Sequence, residues 1–330
     1  MNNKKWVFAS LSTGVLIYLV STIIYILVDA QSVFGKSITD KKFAYTQYYS
    51  IKQFDDLQSG QYSLIFGSSQ MQKLSSRKLR KNILNVYNLH GSPNLILNFL
   101  SQLDEEKIKN VEHVYFNISV FSLLWEDEEA KINYKSNSYF DKLLYILPLS
   151  NSGMLATVRD IVNNIFENNI YYYIDDDGSL LVNAKDQGNI FSSMEVEKGS
   201  IGSIKKSKAI EAIIKLNDFC IDNNLPITYF TPTLSAKYSI DVETRNYLWT
   251  RLLEGGIDGF YELYYVNGVS DNQLNNLYYN FRDPVHLNYN SMNNVFQDIV
   301  LDKDNSRFIS NKNELNTYIN ELKVTIKNLE

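Results

Sequence analysis

Leu64-Ile65-Phe66-Gly67-Ser68-Ser69-Gln70 decides how this chain is read. The apolar run opening at Tyr62 has the length and character of a buried strand. It stops at Gly67 and passes two serines to a helix start, where serine is a common N-cap. Downstream, Gln70 to Lys81 reads as a helix, or as a helix followed by a loop, and Asn85 to Leu89 as a second strand. His90-Gly91-Ser92-Pro93 breaks the chain. Asn94 to Leu103 has helical spacing through Leu95, Leu97, Phe99, Leu100 and Leu103, and Val111 to Ile118 is a third strand. Strand, helix, strand, helix, strand predicts an α/β fold on a central parallel sheet.

Between about residues 125 and 200 this alternation loosens, as expected for an insertion. Ile170-Tyr171-Tyr172-Tyr173-Ile174 and Ser179-Leu180-Leu181-Val182 flank Asp175-Asp176-Asp177-Gly178, a hairpin pattern with Asp-Gly in the turn. The three aspartates lack the regular ligand spacing of a calcium loop and read as a solvated turn. The α/β pattern resumes with a helix at Ala209–Asn223, a strand at Ile227–Phe230 and a helix near Val242–Leu253. Helices are expected again at Ser291–Leu301 and Glu314–Leu329.

At 330 residues, with 45% hydrophobic and 21% charged residues, the chain can bury a large core. The net charge of −5, with no dense basic patch, argues against a nucleic-acid partner. Aromatics abound, with 24 Tyr and 17 Phe. Core and strand packing accounts for them, although tyrosine-rich surfaces also suit carbohydrate. The single cysteine, Cys220, lies in a helical apolar pattern and cannot form an intramolecular disulfide. No Cys/His cluster has metal-ligand spacing, and neither metal nor cofactor is expected.

Trp6 to Val28 carries no charge. As a helix, about 23 residues span a hydrocarbon core of about 30 Å. Lys4 and Lys5 precede it and favour a cytoplasmic N-terminus; Lys36, Lys41 and Lys42 beyond Asp29 weaken that bias. Val28-Asp29-Ala30 loosely fits a signal-peptidase site, but the apolar stretch exceeds the usual h-region of about 7–15 residues. The expected plan is a cytoplasmic tip over 1–5, an anchor over 6–28, a stalk over 29–60, an α/β domain over 61–301 and a helical tail over 302–330. Everything after the anchor is expected outside the cytoplasm.

A second motif is Phe281-Arg282-Asp283-Pro284-Val285-His286-Leu287-Asn288. It sets a carboxylate and an imidazole three positions apart, in a chain with 3 histidines. With Ser69 they make up nucleophile, base and orienting acid, the roles of acyl-transfer chemistry. Each part also has a plain structural reading. Ser68 or Ser69 can N-cap a helix, Asp283-Pro284 can open one, and Gly91 can be a turn glycine. His90 and His113 read as structural or surface residues. Asn117-Ile118-Ser119 matches a glycosylation triplet but follows a buried strand.

Gly67-Ser68-Ser69, Gly91 and Asp283-x-x-His286 resemble, in order and context, the motif blocks of the SGNH (GDSL-like) hydrolase superfamily. The first block of that superfamily ends in Gly-Asp-Ser, the second supplies a glycine, and the last is Asp-x-x-His. The resemblance covers about residues 61–300. Ser68 stands where the superfamily has aspartate. Gly-Ser-Ser also occurs in its membrane-anchored, DltD-like branch, which modifies cell-surface polymers, as do the alginate-type O-acetylation proteins. The third block, Gly-x-Asn-Asp, has no counterpart in Phe116-Asn117-Ile118-Ser119.

The resemblance implies a three-layer α/β fold and catalysis by Ser69, His286 and Asp283. It implies an oxyanion hole of Ser69 and Gly91, with Asn117 as a further candidate. The implied activity is O-acyl transfer or acyl-ester hydrolysis on a cell-envelope polysaccharide or related glycan. A multispanning membrane acyltransferase is an implied partner. A lipid or small-molecule esterase, or a weakly catalytic scaffold, are the alternatives.

The anchor generates a prediction of its own. Carbonate washing should leave the protein in the membrane pellet, and protease added to spheroplasts should digest the domain. Release into the soluble fraction would instead mean cleavage near Ala30.

Overall fold

The computed structural model describes residues 3–28, 60–86, 91–123, 201–206, 208–232, 241–263, 289–303 and 307–329. It also describes short pieces at 157–158, 161–162, 165, 172–174, 180–182, 195–196, 238–239, 281–283 and 286–287. The expected stalk and most of the expected insertion lie outside the described residues.

Tyr62–Phe66 (β1), Ile83–Val86 (β2) and Val111–Asn117 (β3) form one half of a six-stranded sheet. Ile227–Phe230, Phe260–Tyr261 and Phe308–Ile309 form the other. β1 lies between β2 and β3, and the order continues outward from β3 through Ile227–Phe230 and Phe260–Tyr261 to Phe308–Ile309. Five strands run parallel, and Phe308–Ile309 pairs antiparallel on the edge. The sheet is therefore mixed, not wholly parallel as expected. The parallel strands are joined by long connections, which parallel pairing requires, and helices stand in the described parts of each. The edge strand instead enters from the far end of the Tyr289–Leu301 helix.

Alternation along the strands divides the core in two. Leu64, Phe66, Leu84, Val86, Val114 and Phe116 face one side with Tyr229 and Phe260. Ile65, Ile83, Tyr115, Phe230 and Tyr261 face the other. The first side is covered by the helices Pro93–Ser101, Ala209–Asp222, Val242–Glu254 and Lys312–Leu329. Trp249 stacks on Phe260 there, with ring centroids 3.5 Å apart. The second side is covered by Met71, Leu74 and Leu79 and by the helix from Tyr289. That helix widens to a π-type turn over Phe296–Leu301, and Phe296 meets Tyr115 and Phe230 edge-on. The result is an α/β/α sandwich.

The expected helical tail from 302 is part of this domain. Phe308–Ile309 is the sixth strand, and Leu315, Tyr318, Ile319 and Leu322 of the last helix are buried in the main core. Gln70 to Lys81, expected as a helix or as a helix followed by a loop, is a 3-10 turn, Ser69–Met71, followed by a short helix, Ser76–Leu79. Its backbone groups are bound from outside. Asn85 Nδ2 donates to the carbonyls of Met71 (2.7 Å) and Leu74 (2.9 Å). Asn293 Nδ2 donates to the Lys73 carbonyl (2.7 Å), and its Oδ1 accepts from the Ser75 N–H (2.9 Å). Groups held this way are not available for a continuous helical ladder.

Tyr172–Ile174 pairs antiparallel with Leu180–Val182, as the hairpin pattern predicts; the Asp-Gly turn lies outside the described residues. His113 is half-buried, with Nε2 2.7 Å from Thr228 Oγ1, and burial lowers its pKa to about 4. The N-terminal helix, Asn3–Val28, is long and apolar enough to cross a membrane, a character that signal sequences share. Thr13 and Thr22 donate their hydroxyls to the carbonyls four residues back, so neither hydroxyl is unsatisfied in an apolar setting.

Arg307 and Glu262 form an ion pair at 2.9 Å, with side chains 10% and 5% exposed. Removing one partner strands a buried charge. Arg307→Ala should cost about 3–5 kcal/mol in urea unfolding, whereas the double variant Glu262→Leu/Arg307→Met should recover most of that loss. Equal losses in the two proteins would contradict this role.

Candidate functional site

In open α/β sheets ligands bind outside the carboxyl ends of the strands, where strand order reverses. Here the reversal falls between β1 and β3. The segment Gly67-Ser68-Ser69 leaves the carboxyl end of β1, and Asn117 closes β3 beside it.

Gly67 is buried and has no room for a side chain. A Cβ there would lie 2.6 Å from Met71 Cγ and 2.9 Å from Asn117 Cβ. Ser68, 8% exposed, is the cap of the following turn. Its Oγ accepts from the Gln70 N–H at 3.4 Å and its hydroxyl lies 3.1 Å from Gln70 Oε1. The capping reading of this segment thus belongs to Ser68. Ser69, the next residue, is solvent-exposed at the head of the turn. The turn is only three residues long, so it supplies no full-helix dipole at Ser69.

Gly91 is buried with φ of 71°, a conformation that favours glycine, and so it is the turn glycine of one reading. Ser92 follows as N-cap of Pro93–Ser101, accepting from the Leu95 N–H at 3.2 Å. Residues 87–90, including His90, lie outside the described residues.

Asn117 is fully buried. Its Nδ2 faces the Phe230 carbonyl at 3.4 Å, and its Oδ1 has no hydrogen-bond partner among the described residues. An asparagine so placed is no glycosylation acceptor in the folded chain. Its Nδ2 is aimed at the carboxyl end of the neighbouring strand Ile227–Phe230.

The second motif folds differently from a helix start. Phe281–Asp283 and His286–Leu287 form a two-stranded antiparallel ribbon with Asp283 opposite His286. The helix begins only at Tyr289, so the capping role expected for Asp283 is overridden by strand pairing. The ribbon brings the His286–Leu287 strand within 8 Å, Cα to Cα, of the Ser69–Met71 turn. Two motifs more than 200 residues apart therefore meet at the switch point of the sheet. The side chains of Asp283 and His286 lie outside the described residues.

Asn85 escaped the sequence reading. It is fully buried within a strand of apolar residues and fastens the loop that follows Ser69. A polar residue inside an otherwise apolar strand was the available signal. No family model, curated protein or solved structure matches this chain.

Gly67→Ala should destabilise the fold by about 1–3 kcal/mol, because the neighbours of the new methyl are tightly placed near-backbone atoms. Urea denaturation would show a lower midpoint; an unchanged midpoint would refute the close approach.

Proposed function

We propose that this chain is a membrane-tethered serine acyltransferase or esterase acting on a cell-envelope polysaccharide or related glycan. The observation that carries the reading is the meeting of the Ser69 turn and the His286–Leu287 strand at the carboxyl end of the sheet.

In this reading His286 takes the hydroxyl proton as Ser69 Oγ attacks the acyl carbonyl. Asp283, across the ribbon, orients the imidazole and stabilises its charged form. The N–H groups of Ser69 and Gly91 hold the developing oxyanion. Collapse breaks the bond to the donor's oxygen, which leaves with the proton from His286, and Ser69 retains the acyl group as an ester. Attack by a sugar hydroxyl completes transfer; attack by water completes hydrolysis. The long apolar helix at residues 3–28 supports tethering, with the domain on the extracytoplasmic side where envelope polymers lie. A partner acyltransferase in the membrane would supply the acyl group.

One observation favours a scaffold instead. The side-chain amide donor of the superfamily's third block has no counterpart here, and the amide of Asn117 is buried against Phe230. A fluorophosphonate probe separates the readings, since only an activated serine reacts with it.

Ser69→Ala should abolish labelling and acyl transfer while leaving the fold intact. Asp283→Asn should lower the rate by about 10⁴-fold, the loss known for the serine-protease triad. Ser68→Ala should retain most activity, because Ser68 caps the turn. An active Ser69→Ala with an inactive Ser68→Ala would move the nucleophile by one residue. Envelope modification restored by both variants would establish the scaffold.

A further inference from the structure

We propose that Asn293 is a positioning residue that holds the His286 side of the site in register with Ser69. The inference rests on the acyl-transfer reading above.

Asn293 is 1% exposed and lies in the second turn of the helix that begins at Tyr289, just after the His286–Leu287 strand. Its head group bonds to the loop that follows Ser69. Nδ2 donates to the Lys73 carbonyl at 2.7 Å, and Oδ1 accepts from the Ser75 N–H at 2.9 Å. These bonds cross 220 and 218 positions of sequence. One planar amide thus grips a donor and an acceptor of the same backbone segment, as a neighbouring strand would.

Each side of this link is stiff. On the Ser69 side, Leu74 N–H donates to the Met71 carbonyl at 3.0 Å, and Asn85 binds the carbonyls of both residues. On the His286 side, Met292 and Phe296 flank Asn293 on the helix and are buried in the core of that face. Asn293 therefore joins two buried segments, the loop that follows Ser69 and the helix that follows the His286–Leu287 strand.

Asparagine suits this task. It carries a donor and an acceptor on a short stem, whereas aspartate lacks the donor and glutamine adds a methylene. Without the link, both segments keep their own contacts but lose a fixed spacing. Proton transfer from Ser69 to His286 depends on that spacing, and a misplacement of about 1 Å can cost about 100-fold in rate.

The test is a double-mutant cycle read by the rate constant of fluorophosphonate labelling at Ser69, on the full-length protein in detergent. The labelling amplitude counts folded sites, so the rate constant is independent of any loss of folded protein. Asn293→Ala should slow labelling by about 10- to 100-fold. In a His286→Ala background the same change should alter the residual rate by less than about 3-fold, because a residue acting through His286 has nothing left to position. Asn293→Asp, which keeps the acceptor for Ser75, serves the same cycle where the alanine variant yields too little folded protein.

An unchanged rate in the Asn293 variants would overturn the proposal. So would an equal loss in both backgrounds, which would make Asn293 a general support of the loop. Failure of the underlying reading is distinct: it would appear as labelling that survives Ser69→Ala, or as an undiminished rate in His286→Ala alone.

Discussion

Gly67 is where β1, β3 and the turn after β1 come together, and the absence of a side chain there sets the geometry of everything beyond it. With no Cβ, the end of β1 lies against Asn117 and Met71 at distances no other residue permits. Met71 can then enter the core beside Ile65 and Leu74. Its burial forces the chain to turn sharply, and the turn leaves Ser68 inside as a cap and Ser69 outside. The difference between a capping serine and an available one is thus settled by one residue of register. That register follows from how closely β1 and β3 approach.

A sharp exit from a strand leaves backbone groups that no helix satisfies, and a buried unsatisfied group costs about 1–3 kcal/mol. The fold answers with side chains. Asn85 and Asn293 make four hydrogen bonds to the backbone of Met71, Lys73, Leu74 and Ser75. Both asparagines are themselves buried, so each bond forms away from competing water. The loop gains the rigidity of a regular element without adopting the geometry of one.

This explains what could and could not be read from the sequence. β1, β3 and the helices Pro93–Ser101, Ala209–Asp222 and Val242–Glu254 announce themselves, because local periodicity and burial agree along each of them. The stretch from Gln70 to Lys81 misleads, because its residues favour a helix locally while two asparagines, one more than 200 positions away, take its backbone groups. Asp283-Pro284 misleads in the same way, since a sound helix-start signal yields to pairing with His286–Leu287. Phe260–Tyr261 and Phe308–Ile309 were invisible. A two-residue strand has no period, and its identity comes from the neighbour it pairs with. Of the site, Ser69 and the Asp283/His286 segment were legible as residue types in a telling order. The buried amides that hold the Ser69 loop were not, because their partners are backbone atoms rather than a motif.

The second motif is constrained over a longer length of chain than its own few residues. The helix following His286–Leu287 is tied near its start by Asn293 and seated in its middle by Phe296, between the rings of Tyr115 and Phe230. Just before the edge strand, the Arg307 side chain pairs with Glu262, and its carbonyl accepts from the Glu262 N–H at 2.9 Å. Glu262 directly follows a parallel strand of the sheet, so the ion pair sits at the same carboxyl rim as Ser69. The helix is therefore fastened to that rim on both sides, by an amide at one end and by a buried charge pair past the other. A buried ion pair contributes little net stability, yet removing one partner is costly, which makes it a device for fixing position. Two such attachments bracket the helix that follows the His286–Leu287 strand, and both lie on the side of the sheet where Ser69 leaves β1.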